Sequence, residues 1–134
     1  MRSAKGFTLI ELMVVVVVVA TLATIAIPSY SRYIQRGDLV EATNALAQYR
    51  VQMEQYYQDN ANYGTAPGCG VAYPTLVNFA VTCVGATQSY TATATANAGG
   101  PVAGFSYTID NNNNQATPTA PTGWSTSATS WVVR

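Results

Sequence analysis

The chain contains no histidine, and only 9% of its 134 residues are charged. Ordinary soluble domains carry about 25% charged residues. Without histidine the chain lacks the usual neutral-pH general base and a common metal ligand. Six Lys and Arg balance six Asp and Glu, so no basic excess exists to hold a phosphate backbone. Charge is also unevenly placed, because only Asp110 and Arg134 carry any after Asp59. Serine, threonine and cysteine nucleophiles are available, but activating one needs a neighbouring base or a shifted pKa. No such constellation is present. No catalytic residue is assigned, and no enzyme activity, cofactor or metal is expected.

Low charge alone can accompany disorder, but disordered chains have few aromatics and high net charge. Tyr73, Phe79, Tyr90, Phe105, Tyr107, Trp124 and Trp131 supply core material here, and the net charge is zero. The C-terminal part therefore reads as a folded head with a nearly neutral surface.

What the chain does have is one long apolar run. Residues Phe7 to Ile27 carry a single charge, Glu11, and three threonines. About 20 apolar residues span a bilayer core as a helix, so the run is a transmembrane candidate. Val14 to Val19 is poor helix material in water, yet in lipid a single segment has no alternative to the helix. Arg2 and Lys5 precede the run, which keeps the first six residues cytoplasmic and exports the rest. An ordinary signal peptide would have a shorter apolar region followed by an A-x-A-like site.

Glu11 is the anomaly. A carboxylate in a spanning helix costs about 2.5–3.5 kcal/mol when central and less near an end. It needs a partner, and the segment is expected to contain none. A cut between Gly6 and Phe7 would create an α-amine at the helix start. That amine on one copy could pair with Glu11 of a neighbour, neutralising both charges and setting the axial register.

The stretch Lys5-Gly6-Phe7-Thr8-Leu9-Ile10-Glu11-Leu12 resembles the leader signal of type IV pilins and type II secretion pseudopilins. The resemblance implies cleavage after Gly6 by a membrane-embedded prepilin peptidase and N-methylation of Phe7. It makes Glu11 the assembly glutamate. It also makes Pro28 a helix-breaking proline, near where the helix can locally melt in filaments.

Beyond Pro28 the pattern becomes amphipathic. Leu39, Ala42, Leu46, Tyr49, Met53 and Tyr56 follow alternating spacings of three and four, one face of a helix. Gly37 costs about 1 kcal/mol against Ala, so near-continuity with a bend there is expected. The Met and Tyr stripe reads as core rather than a cofactor element, and Tyr30 and Tyr33 as interfacial anchors. A helix from Phe7 to Asp59 would extend about 80 Å, so its first half must protrude.

Loop signals cluster over Asn60–Gly70. Period-2 patterns follow at Phe79–Val84, Tyr90–Ala96 and Phe105–Asp110, which predict an antiparallel meander. A final strand is expected at Ser130–Arg134. Gln115–Thr117 pairs after the Asn turn only as a short edge, limited by Pro118. Alanines on one face of the second strand would let the stem helix approach closely, giving an α+β fold. Asp110–Asn114 reads as a hairpin turn rather than a calcium loop, since it has one carboxylate. Cys69 and Cys83 lie in the exported part, where an internal disulfide is favoured over two free thiols unless the bond is intermolecular.

The head, from the RGDLVEATNALAQYR stretch to SWVVR, resembles PilE-like minor pilins of betaproteobacteria. Ser130 stands where such relatives often carry a cysteine, so a C-terminal disulfide cannot form. The resemblance implies the type IV pilin fold: a long N-terminal helix, its membrane half protruding, packed on an antiparallel four-stranded sheet. The expected divisions are a leader over 1–6, an assembly helix over 7–28, a stem over 29–59 and a head over 60–134. The expected function is a pilus subunit for adhesion, twitching or DNA uptake. Its partners are the peptidase, the inner-membrane assembly machinery, other pilins, and the membrane through 7–27. The head would be periplasmic before assembly and at the cell surface after it. A type II secretion pseudopilin is the nearest competitor, and the cysteine pair and acid-poor C-terminus argue against it. A DNA-uptake receptor is a further alternative, but the head contributes only Arg134, so nucleic acid is not expected as a partner.

Overall fold

The computed structural model describes residues 6–134. Arg2 and Lys5, on which the expected orientation rests, lie outside the described residues. Two compact units are present, divided between Ile34 and Gln35. One helix, α1, runs from Leu9 to Asn60. It is followed by β1 (Phe79–Ala86), β2 (Ser89–Ala96), β3 (Ser106–Asp110) and β4 (Gln115–Thr119). The strands form a single antiparallel sheet in the order β1-β2-β3-β4, a meander.

In the first unit the helical residues are exposed almost throughout, with Ala23 alone half-buried. The helix is carried through Pro28 without interruption, so the break expected there is not present in the single chain. Pro28 has no N–H, which leaves the Thr24 carbonyl without its usual donor. Nearby hydroxyls bond inward to the backbone, Thr24 to Ala20 O at 2.9 Å and Ser31 to Ile27 O at 3.2 Å. Such bonds satisfy hydroxyl groups internally where no water is available.

In the second unit the 3-4 periodicity does what its spacing requires. Leu39, Ala42, Leu46 and Met53 are fully buried and Tyr49 nearly so, while Tyr56 is half-buried at the end of the stripe. Burying each large aliphatic side chain contributes about 1.5–3 kcal/mol. The facing layer comes from the sheet: Phe79, Val81 and Cys83 of β1, Tyr90, Ala92 and Ala94 of β2, and Tyr107 and Ile109 of β3. Ala92 and Ala94 are wholly inaccessible, and their small side chains let the helix seat over the middle strand. Side-chain bonds tie the helix to its surroundings at three levels. Gln35 donates to Pro101 O at 2.9 Å, Tyr49 OH to Val71 O at 3.0 Å and Tyr57 OH to Gln88 Oε1 at 2.7 Å.

Cys69 and Cys83 are joined, which staples the loop after α1 to the first strand. The loop is packed tightly around this staple. A methyl group on Gly85 would lie 2.8 Å from Gly68 O and 3.0 Å from Cys69 Sγ.

The fourth strand differs from expectation. Ser130–Arg134 is not a strand, and Gln115–Thr119 occupies the edge instead. Pro118 is tolerated because β4 is the edge strand and the β3–β4 ladder is irregular between Ser106 and Thr108. The tail is held by side chains rather than by a ladder. The Thr117 hydroxyl donates to Ser130 O at 3.1 Å and accepts from Val132 N–H at 2.9 Å. Trp131 Nε1 donates to Thr108 O at 2.9 Å, and Tyr107 OH donates to Val132 O at 2.7 Å. The Thr117 backbone is spent on Ser127, in an isolated antiparallel bridge.

Candidate functional site

The chemistry-bearing end of the chain is the start of α1. Thr8 precedes the first helical residue, Leu9, and Glu11 lies in the first turn. A helix start leaves four N–H groups without intrahelical acceptors. Thr8 and Glu11 satisfy two of them reciprocally. Thr8 N–H donates to Glu11 Oε2 at 2.8 Å, and Glu11 N–H donates to Thr8 Oγ1 at 3.3 Å. The Thr8 hydroxyl adds a third bond, donating to Glu11 Oε2 at 2.7 Å. This is a capping box of the T-x-x-E form.

The expectation that Glu11 has no partner within its segment is therefore corrected. Its carboxylate accepts two hydrogen bonds from Thr8, one from nitrogen and one from oxygen. The sequence signal for this partner is a hydroxyl three residues before a carboxylate, not an opposite charge. The cap also fixes direction, because it folds the carboxylate back over the helix start. Phe7, the residue before the cap, is 92% exposed, and Gly6 is exposed as well.

From Leu9 onward α1 includes a window long and apolar enough to cross a membrane, none of it buried. Leu9, Ile10, Leu12, Met13 and Val14 to Val19 all present exposed side chains. No group of three or more potential metal-ligating side chains occurs among the described residues. Asp110, the carboxylate of the Asn-rich turn, accepts from Asn112 N–H and Asn114 N–H, both at 2.9 Å, and from Asn114 Nδ2 at 2.8 Å. Asn113 adopts φ +62°, a conformation asparagine tolerates well. That carboxylate organises a turn between β3 and β4.

Comparison with known families reads the two parts of the chain separately. Residues 1–27 match the prokaryotic N-terminal methylation motif. Residues 28–123 match the family described as type IV minor pilin ComP, DNA uptake sequence receptor. The chain belongs to the ComP family of type IV minor pilins.

Curated relatives of this pilin agree in kind. The chain is 44% identical over 55 residues to the fimbrial protein EcpC of Eikenella corrodens, covering 41% of this chain and 36% of that one. It is 41% identical over 69 residues to the type IV major fimbrial protein FimA of Dichelobacter nodosus, covering 50% and 43%. It is 32% identical over 81 residues to the prepilin peptidase-dependent protein D of Escherichia coli (strain K12), covering 59% and 56%. The matches thus span between 36% and 56% of these relatives' own lengths. A type IV pilin structure from Shewanella oneidensis aligns at 13% identity with TM-score 0.48, over 60% of this chain and 89% of that one.

Proposed function

We propose that this pilin is a structural subunit, anchored by residues 7–27, cleaved after Gly6, N-methylated at Phe7 and then polymerised into a filament. The observation that carries the reading is an exposed apolar segment, Phe7–Ile27, whose one carboxylate is held at its start by Thr8. Assembly then transfers that helix from lipid into a bundle of like helices. The energetic gain comes from packing, because lipid tails are as apolar as the side chains they leave.

Glu11 is the polar register pin. Two bonds from Thr8 reduce the cost of carrying the carboxylate into lipid and leave it directed at the helix start. Cleavage after Gly6 would set the new Phe7 amine at that same end. An intermolecular pair between one subunit's amine and the next subunit's Glu11 neutralises both. The outer side of the stem, where Val40 and Val51 stay exposed, supports lateral packing of copies.

The test is Glu11→Val in cells making this subunit as the only pilin. Membrane insertion should persist while sheared filaments are lost, and normal filaments would defeat the pairing. A pseudopilus role in type II secretion shares the same leader chemistry. It would be favoured by a subunit confined to cell envelopes whose deletion abolishes protein secretion.

The family description names a DNA uptake sequence receptor, which raises a second reading. Phosphate binding requires clustered Lys or Arg. From Gln35 onward this chain has only Arg36, Arg50 and Arg134, and the Arg50 Nε is buried. A salt-sensitive mobility shift with the head would establish DNA binding, and none is expected.

A further inference from the structure

In the 35–134 unit, Arg50 and Glu54 stand one turn apart on α1, both half-buried. Tyr63, from the loop after the helix, and Tyr90, from β2, meet them there. The Tyr63 hydroxyl donates to both Glu54 oxygens, at 3.1 and 3.2 Å. The Tyr63 ring lies edge-on to the Tyr90 ring, with centroids 4.9 Å apart. Tyr63 is 6% exposed and Tyr90 2%, so the sheet side of this cluster is shut off from bulk water.

Two polar atoms of the cluster are buried without a hydrogen-bond partner among the described residues: Arg50 Nε and the Tyr90 hydroxyl. A buried donor left unmet costs its full desolvation, and native interiors leave few such groups. Both belong to one electrostatic neighbourhood. Burial raises the pKa of the Tyr90 hydroxyl, Glu54 adds to the rise and Arg50 opposes it. Yet Arg50 Nε bonds to neither Glu54 nor Tyr90. Polar groups this close and still unbonded are the setting for a bridging molecule.

We infer that one water molecule is held here, accepting from Arg50 Nε–H and from the Tyr90 hydroxyl and donating to the Glu54 carboxylate. The surrounding groups select it. Arg50 Nε only donates, an ionised carboxylate only accepts, and a phenol does either. A ligand that meets all three must both accept and donate. Glu54 repels an anion and Arg50 repels a cation, so the occupant is neutral. Three hydrogen bonds are the usual complement of a buried water. Held there, it links the stem helix to β2, near the end of α1 where Tyr57 bonds to Gln88 of the β1–β2 turn.

The test is NMR on the full chain in detergent, observing the Arg50 Hε and Tyr90 Hη protons. Rotating-frame spectra separate dipolar contact with water from proton exchange by sign. Dipolar cross-peaks from water to both protons are expected, of the kind given by a water that outlasts molecular tumbling. Tyr107 Hη should show none, because that hydroxyl is already bonded to Val132 O. Tyr90→Phe keeps the ring and leaves the water two partners, so the Arg50 cross-peak should fall several-fold. A retained Trp131 Nε1–H resonance shows that the variant head is folded, and if it is not, the parent spectra decide alone. Absence of either cross-peak in the parent overturns the assignment, as does contact of the short-lived kind that surface hydration gives. An Arg50 cross-peak unchanged by Tyr90→Phe also overturns it. So does an Arg50 Hε shift that follows chloride concentration, which would make an anion the occupant.

Discussion

Thr8 and Glu11 are joined by three hydrogen bonds across the first helical turn, two of them ending on the same carboxylate oxygen at 2.7 and 2.8 Å. The pair separates two roles of Glu11 that would otherwise be confounded. One is the local cap, and the other is the charge available to a neighbouring subunit. Glu11→Gln keeps an acceptor for Thr8 but removes the charge. If the intermolecular pair sets the register, Glu11→Gln should lose filaments as Glu11→Val does. Thr8→Val should lose only the cap, about 1 kcal/mol, and reduce filament yield a few-fold. Sheared-filament yield, normalised to membrane-inserted subunit, checks all three.

Gly37 lies inside α1, and a methyl group there meets nothing within 4 Å. Gly37→Ala should therefore stabilise the head by about 1 kcal/mol through helix propensity alone. For a unit of about this size that corresponds to a rise of roughly 4–8 °C in Tm. A thermal melt followed by circular dichroism reads it directly.

The disulfide between Cys69 and Cys83 closes a short loop, with a sequence separation of 14. Loop entropy makes it worth roughly 3 kcal/mol. Cys69→Ser should lower the denaturant midpoint accordingly and make it insensitive to added reductant, whereas the parent should shift when reduced.

Gly85→Ala is expected to destabilise, because the new methyl meets the Gly68 carbonyl and the Cys69 sulfur, neither of which is a flexible side-chain end. Overpacking of this kind costs about 1–3 kcal/mol. A denaturation curve should show a lower midpoint with an unchanged slope.

Alkaline pH should unfold the head. Burial pushes the Tyr49 hydroxyl up to about 12, with the neighbouring Tyr73 adding to the shift. Burial also raises Tyr107 and Tyr90. Unfolded tyrosine ionises near pH 10. Between that value and the folded value the unfolded state holds fewer protons, so stability falls as pH rises. The contribution is fully present below about pH 10 and is lost as pH rises through the folded pKa values. Melting temperature measured across the alkaline range should decline there. Tyr49→Phe should make the decline shallower.

Most of the architecture is legible in the sequence because its periodicities are long. The Leu39-to-Met53 stripe and the alternations around Val81, Ala92 and Tyr107 each bury the face they predict. Ser130–Arg134 misleads because five residues of alternation also describe a tail pinned by side chains. The deciding groups, the Thr117 and Tyr107 hydroxyls, lie more than ten residues upstream. The Thr8–Glu11 cap is written in the sequence as T-x-x-E, but its acceptor sits in an apolar run, where an unpaired carboxylate calls first for an opposite charge.

The most direct test is N-terminal mass spectrometry on the subunit recovered from a sheared surface fraction. A mature chain that begins at N-methylated Phe7 is the expected result. An intact Met1, or a chain cut near Pro28, would contradict processing at Gly6 and the assembly role built on it.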